Sequence, residues 1–275
     1  MRVAVVQMDC ILGDVEANLR HIERLAADAV RDHGADLVIL PECATTGYFV
    51  GDRARSLATT ADGPMVTRLV DIATRLGRHL AVGLIEADGA SVYDSLALLA
   101  PRDGLLAMYR KVHLFAGERA VFSAGDEPCL VDTALGRIGL TVCYDLMFPE
   151  YVRGLVLGGA ELIVNGTDWI TDPWQTGMGW TGESVRALAR TRALENSVHV
   201  AMAARVGEEA GFTSVGHSTI ASPTGAVLAT LDDGEGIAAA RLADPTADLD
   251  RWRGYASYLA DRQPGLYARM GRAEP

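Results

Sequence analysis

Short, largely apolar runs recur at residues 3–8, 37–40, 80–85, 137–142, 162–164 and 198–203, and they constrain the fold more than any other feature. A half-exposed strand alternates apolar and polar side chains. A run without that alternation needs cover on both faces, the habit of parallel strands packed beneath helices. The covering helices are legible between the runs. Val15, Leu19, Ile22, Leu25, Ala26 and Ala29 recur at helical spacing between Asp14, placed as an N-cap, and Gly34, placed as a stop. Pro64 opens a second helix carrying Val66, Leu69, Val70, Ile72 and Leu76, and Gly77 closes it. Pro149 opens a third with Tyr151, Val152, Leu155 and Val156, and residues 182–196 read as a fourth. Further strands are expected at 93–100 and 105–109, around the turn Pro101-Arg102-Asp103-Gly104, and at 216–221 and 227–231. The pattern predicts an α/β chain.

At 275 residues and 49% hydrophobic, the chain can bury a large core. With no internal repeat, composition shift or long linker, one domain over residues 1–275 is expected. Its last stretch, 244–275, is weakly periodic and reads as a partner-binding tail with Tyr255, Tyr258, Leu259, Leu266 and Tyr267. A net charge of -11 repels phosphate backbones and anionic lipid, so neither nucleic acid nor a membrane is an expected partner. No apolar run approaches the ~18 residues of a spanning helix, and residues 1–9 read as a strand rather than a leader, so a cytoplasmic location is expected. Cys10, Cys43, Cys129 and Cys143 match no Cys-x-x-Cys spacing, and reduced thiols are the expectation.

Of 25 basic residues, one alone is lysine, Lys111. A chain that uses arginine wherever a surface needs positive charge has kept an ammonium here. The two differ: the ammonium is compact, with three donors and a tunable pKa, while guanidinium is planar and never deprotonated. Chance survival of a surface lysine is the bland alternative. Glu42 closes the run at 37–40, where a buried strand delivers a side chain to a cleft. Cys143 lies between the run 137–142 and the helix at Pro149, at a turn that exposes a side chain and aims helix amides at it, favouring a thiolate and a developing oxyanion.

The usual scaffolds of serine hydrolases, zincins and P-loop proteins are missing: there is no Gly-x-Ser-x-Gly, His-Glu-x-x-His or Walker A segment. Residues 177–182 do match Gly-x-Gly-x-x-Gly. No strand precedes them and no acidic residue follows at the right distance, so they read as a flexible loop.

Pro41-Glu42-Cys43, Tyr109-Arg110-Lys111-Val112-His113 and Val142-Cys143-Tyr144-Asp145 together resemble the Glu-Lys-Cys signature of the nitrilase superfamily, the carbon-nitrogen hydrolases. The resemblance runs from the first strand with Gln7 through Ala193-Leu194-Glu195-Asn196 to Gly216-His217-Ser218. It implies a four-layer α-β-β-α sandwich, a homodimer or higher homo-oligomer with residues 244–275 at its interface, and no metal or organic cofactor. It also implies a mechanism. Glu42 takes the Cys143 proton and returns it to leaving ammonia, Lys111 and the Tyr144 backbone N–H hold the oxyanion, and water hydrolyses the thioester. Glu118 matches a second glutamate that orients lysine and substrate amide, the alternative being a solvated loop carboxylate. Tyr48 and Tyr144 match pocket-lining positions and could equally be core aromatics; Trp169 is placed like a residue that caps the acyl site.

The implied substrate is a small aliphatic or omega-amide, because Cys143 is followed by Tyr144-Asp145 as in amidase branches. Carbamoyl hydrolysis and nitrile hydrolysis are the nearest alternatives. A glutaminase subunit and a non-catalytic binding member are more distant ones. His113, two positions beyond Lys111 on the expected strand, reads as a satisfied structural histidine, and Cys43 as a packed thiol pointing away from Glu42. Residues 167–182 hold Trp169, Trp174 and Trp180 and depart from the family pattern. They are expected to form a wall or lid favouring an apolar or extended acyl chain.

Overall fold

The helices form where their caps predict. In the computed structural model, which describes residues 1–244 and 246–270, the Asp14 carboxylate accepts from the Ala17 N–H at 3.0 Å and Gly34 ends the helix at φ 64°. Leu19, Ile22 and Leu25 lie on its buried face, and such side chains contribute roughly 1.5–3 kcal/mol each when fully buried.

The first half of the chain runs β1 (Arg2–Gln7), α1 (Val15–His33), β2 (Leu37–Ile39), α2 (Ala54–Leu57), α3 (Pro64–Leu76), β3 (His79–Asp88), β4 (Ser91–Ala100) and β5 (Gly104–Arg110). Next come β6 (Cys129–Thr133), β7 (Gly136–Val142), α4 (Pro149–Leu157), β8 (Leu162–Thr167), β9 (Ile170–Thr171), α5 (Pro173–Gly177) and α6 (Gly182–Asn196). The chain then continues through β10 (His199–Ala204), β11 (Val206–Glu209), β12 (Phe212–Val215), β13 (Thr219–Ala221), β14 (Val227–Thr230), β15 (Gly236–Arg241), α7 (Thr246–Arg253) and α8 (Pro264–Met270).

Two six-stranded sheets result, ordered β15-β1-β2-β3-β4-β5 and β14-β13-β10-β8-β7-β6. Their centres are parallel, β1-β2-β3 in one and β7-β8-β10 in the other, and antiparallel strands complete both edges. Val3 and Val5 share a core with Leu140 and Val164 of the opposite sheet, whereas Ala4 and Val6 pack with Leu19, Ile22 and Leu69 from α1 and α3. Helices α4 and α6 cover the far side of the second sheet through Val152, Leu155, Val185 and Ala189. This is the four-layer α-β-β-α sandwich, and the doubly covered strands explain the runs without alternation.

Several expectations need correction. The segment at 177–182 is no simple loop: Gly177 ends α5 and Gly182 begins α6. The strand expected at 216–221 is shortened to Thr219–Ala221. Lys111 and His113 lie beyond β5, which ends at Arg110, so they do not share a strand face. The C-terminal tail forms α7 and α8, while its positions 245 and 271–275 lie outside the described residues. Among the described residues no helix is long and apolar enough to cross a membrane.

Candidate active site

Glu42, Lys111 and Cys143 each follow the C-terminal end of a strand, β2, β5 and β7, on the same rim of the sandwich. Gly83 makes the first placement possible. A Cβ there would stand 2.2 Å from the Pro41 carbonyl oxygen and 2.7 Å from Glu42 Cα, so β3 can lie against this turn only without a side chain. Gly166 of β8 serves likewise from the opposite sheet, where a Cβ would meet the Leu40 carbonyl oxygen at 3.0 Å.

Cys143 begins a 3-10 turn, Cys143–Met147, with φ 40°. A non-glycine residue there costs on the order of 1–3 kcal/mol, and surrounding contacts must enforce it. Asp145 does so: one carboxylate oxygen accepts from the Val142 N–H at 2.9 Å and the Tyr109 hydroxyl at 2.7 Å, the other from the His113 N–H at 3.0 Å. His113 Nδ1 lies 2.8 Å from that second oxygen and its ring stacks on Phe148, the satisfied structural role expected of it. Cys43 is buried as expected, for a different reason: it sits in a turn at φ 47° rather than along a strand, and its thiol donates weakly to Asp94 at 3.7 Å.

The Lys111 ammonium is buried among carboxylates. It donates to Glu42 Oε1 at 2.6 Å and to Glu118 Oε1 at 2.7 Å, and lies 3.4 Å from Asp94 Oδ2. The remaining Glu42 oxygen accepts from the Asp168 N–H at 2.7 Å. Glu118 is buried, not solvated: its Oε1 also accepts from the Tyr48 hydroxyl, and its Oε2 accepts from the Phe115 N–H at 2.7 Å. Glu42, Asp94 and Glu118 bring oxygens within 4.8 Å of one another, a spacing that could hold a metal ion. The cation bonded to two of them and close to the third is the chain's own ammonium.

Three carboxylates around one ammonium make the pocket proton-retaining. Burial raises Glu42 well above the ordinary carboxylate range against the pull of Lys111, and Asp94 and Glu118 push the same way. Burial works against the Lys111 ammonium, but Glu42, Asp94 and Glu118 override it and the pKa rises. Cys143 is held as a thiol by burial and by the Glu42 charge, with Lys111 and Thr167 opposing. A carboxylate of raised basicity beside a neutral thiol is chemically able to take its proton.

Cys143 opens into a cavity of about 190 Å³ lined also by Tyr48, Tyr144, Trp169 and Trp180. Trp169 and Trp180 meet edge to face at 5.7 Å. A second cavity of about 510 Å³ adjoins it through Tyr48, Phe115, Ile170 and Gln175, and Trp174 stands on that outer wall.

The description of a known family fits residues 2–253, that of the carbon-nitrogen hydrolases. The chain belongs to this family. It is similar to a nitrilase of Pyrococcus abyssi, 35% identical with 86% of each chain covered. It is also similar to an (R)-stereoselective amidase of a Pseudomonas species, 31% identical with 83% of this chain and 80% of the relative covered. Among solved structures, an amidase of the nitrilase superfamily from Nesterenkonia sp. AN1 matches with a TM-score of 0.83 at 29% identity, over 98% of this chain and 99% of that one. One structure of that amidase carries acrylamide added to its active-site cysteine, and another holds butyramide. This carbon-nitrogen hydrolase is thus a hydrolase of the nitrilase superfamily with amidase relatives.

Four residues around the site of this carbon-nitrogen hydrolase escaped sequence reading. Asp94 had a signal, an acid at the start of the apolar stretch 96–100 of a buried strand. Arg205 had a similar one, an arginine closing the apolar stretch 200–204; it is fully buried and donates to Asp168 at 3.0 Å and Glu209 at 2.8 Å. Asp168 and Glu209 had none, because only the fold brings their partners to them.

Proposed function

We propose that this protein is a cysteine-dependent amidohydrolase that cleaves a small primary amide to carboxylic acid and ammonia through a thioester on Cys143. The observation that carries the reading is the buried Lys111 ammonium, held at 2.6 and 2.7 Å by Glu42 and Glu118 beside a strained, buried cysteine. A fully buried ion pair, behind a cavity into which a cysteine opens, is costly to desolvate and suits charge that develops during a reaction.

The Cys143 sulfur attacks the amide carbon as its proton passes to Glu42. The tetrahedral oxyanion is held by Lys111 and the Tyr144 N–H. Collapse breaks the carbon-nitrogen bond, Glu42 returns the proton, and ammonia departs. Water then attacks the thioester carbon with Glu42 as base, and the acid leaves as the thiol is restored. Glu118 orients Lys111, and Tyr48, Tyr144 and Trp169 line the acyl space.

The same proposal includes one domain over residues 1–275, a cytoplasmic location and a homodimer. The core shared by both sheets supports the first, and exposed Trp252, Tyr255, Leu266, Tyr267 and Met270 support an interface at the tail. The test is ammonia release from a panel of amides, N-carbamoyl compounds and nitriles. Amides give ammonia without carbon dioxide, Cys143→Ala gives none, and mass spectrometry finds an acyl adduct on Cys143. No ammonia from any amide with folded wild-type protein overturns the reading.

A further inference from the structure

The catalytic cavity is small. At about 190 Å³ it falls below the ~300–1,000 Å³ typical of small-molecule sites, whereas the adjoining outer chamber, at about 510 Å³, falls within that range. The outer walls come from four stretches of the chain: Phe49, Phe115 with Phe122, Ile170 with Trp174, and Phe212. Phe49 and Phe212 are stacked, with centroids 5.3 Å apart and planes within 11°.

Its two charged wall residues already have partners. Glu118 is bonded to Lys111, Tyr48 and the Phe115 N–H, and Asp172 caps α5 by accepting from the Gln175 N–H at 2.7 Å. Among the described residues lining either chamber there is no Arg, Lys or His. A carboxylate entering here would be desolvated without a cation.

The depth of Glu42 orients the substrate. Glu42 is fully buried and lines neither chamber, yet the amide nitrogen must reach it for a proton. The nitrogen therefore goes inward, toward Glu42, and the acyl group runs outward past Tyr48 and Ile170.

We propose that the outer chamber is an acyl-binding subsite for an uncharged, ring-bearing apolar group, so that the substrate is a primary amide with a short linker to an aromatic or comparably bulky end. This rests on the amidohydrolase reading and narrows it: carboxylate-bearing omega-amides are disfavoured.

The experiment measures kcat/KM for ammonia release from butyramide, phenylbutyramide and succinamate. Phenylbutyramide is expected to exceed butyramide by at least about tenfold, the scale on which apolar pocket contacts discriminate, with succinamate lowest. Phe212→Ala, which empties the chamber, and Val121→Trp, which fills it, should each lower the phenylbutyramide-to-butyramide ratio at least about tenfold. Phe212→Leu guards against a folding defect and should lower the ratio less than Phe212→Ala. Butyramide turnover with no phenyl advantage, preference for succinamate, or an unmoved ratio in both variants overturns the subsite while leaving amide hydrolysis intact. No turnover of any of the three amides overturns both.

Discussion

Asp94 Oδ2 lies 3.4 Å from Lys111 Nζ, yet it accepts no hydrogen bond from any protein group. Asp94 is therefore a third carboxylate in a pocket whose single ammonium is already engaged by Glu42 and Glu118. Its charge raises Glu42, and burial raises Asp94 itself. Asp94→Asn removes one negative charge while keeping the shape. Glu42 then becomes a weaker base, so the acidic limb of the kcat/KM profile moves to lower pH and kcat falls by roughly tenfold or more. Stability moves the other way. Asp94 holds its proton more tightly folded than unfolded, so its carboxylate costs stability above its ordinary 3.8 and costs nothing below it. The variant should melt higher than wild type at pH 7, and that gain should vanish near pH 3. An acid limb that stays in place would show that Asp94 does not tune the base.

Gly83 gives a prediction about position rather than charge. An added Cβ would meet the Pro41 carbonyl oxygen and the Glu42 backbone, neither of which can swing aside. Gly83→Ala should displace Glu42 from Lys111 and lower kcat by about a hundredfold, the scale of a misplacement near 1 Å. Stability should fall by about 1–3 kcal/mol, as for overpacking elsewhere. Steady-state kinetics and a urea melt on the same preparation separate the two effects.

These two residues mark the limit of what was readable from the sequence. The doubly covered strands, the caps at Asp14, Gly34 and Gly77, and the lone lysine were legible because each is a local signal. Glu42, Lys111 and Glu118 meet in one buried cluster, with Lys111 just past its strand. The edge strand β15 was not legible: Gly236–Arg241 is rich in alanine, a poor strand former, and its register is set by full antiparallel pairing with β1. Gly83 looked like one more apolar-strand residue, since its meaning depends on a neighbour about 40 positions away in the chain.

Asp145 holds the turn at Cys143 together. Its carboxylate is the shared acceptor for Val142, Tyr109 and His113 groups, so Asp145→Ala leaves two backbone N–H groups and a buried hydroxyl without it. A loss of about 2–4 kcal/mol is expected, from penalties of about 1–3 kcal/mol per buried orphaned group partly relieved by relaxation. With its φ of 40° no longer enforced, Cys143 should also react at an altered rate with a small alkylating amide. A melt unchanged within about 0.5 kcal/mol, the scatter of neutral surface changes, would mean the turn at Cys143 is held by packing instead.

Arg205 ties Glu42 to the outer wall of the second cavity. It pairs with Asp168, whose N–H donates to Glu42, and with Glu209, whose carboxylate accepts from the Tyr48 N–H at 2.9 Å and the Phe49 N–H. Arg205→Met keeps much of the side-chain bulk and strands two buried carboxylates, a change worth about 3–5 kcal/mol at neutral pH. Asp168 is already pushed up by burial and held down by Arg205, so without the guanidinium it rises further. A raised carboxylate destabilises above its ordinary 3.8, and the penalty fades as pH falls through the folded value toward it. The stability deficit of the variant should therefore shrink in denaturant melts as pH is lowered toward the ordinary 3.8 of an aspartate. A deficit that stays constant all the way down to 3.8 would assign the loss to packing and not to unpaired charge.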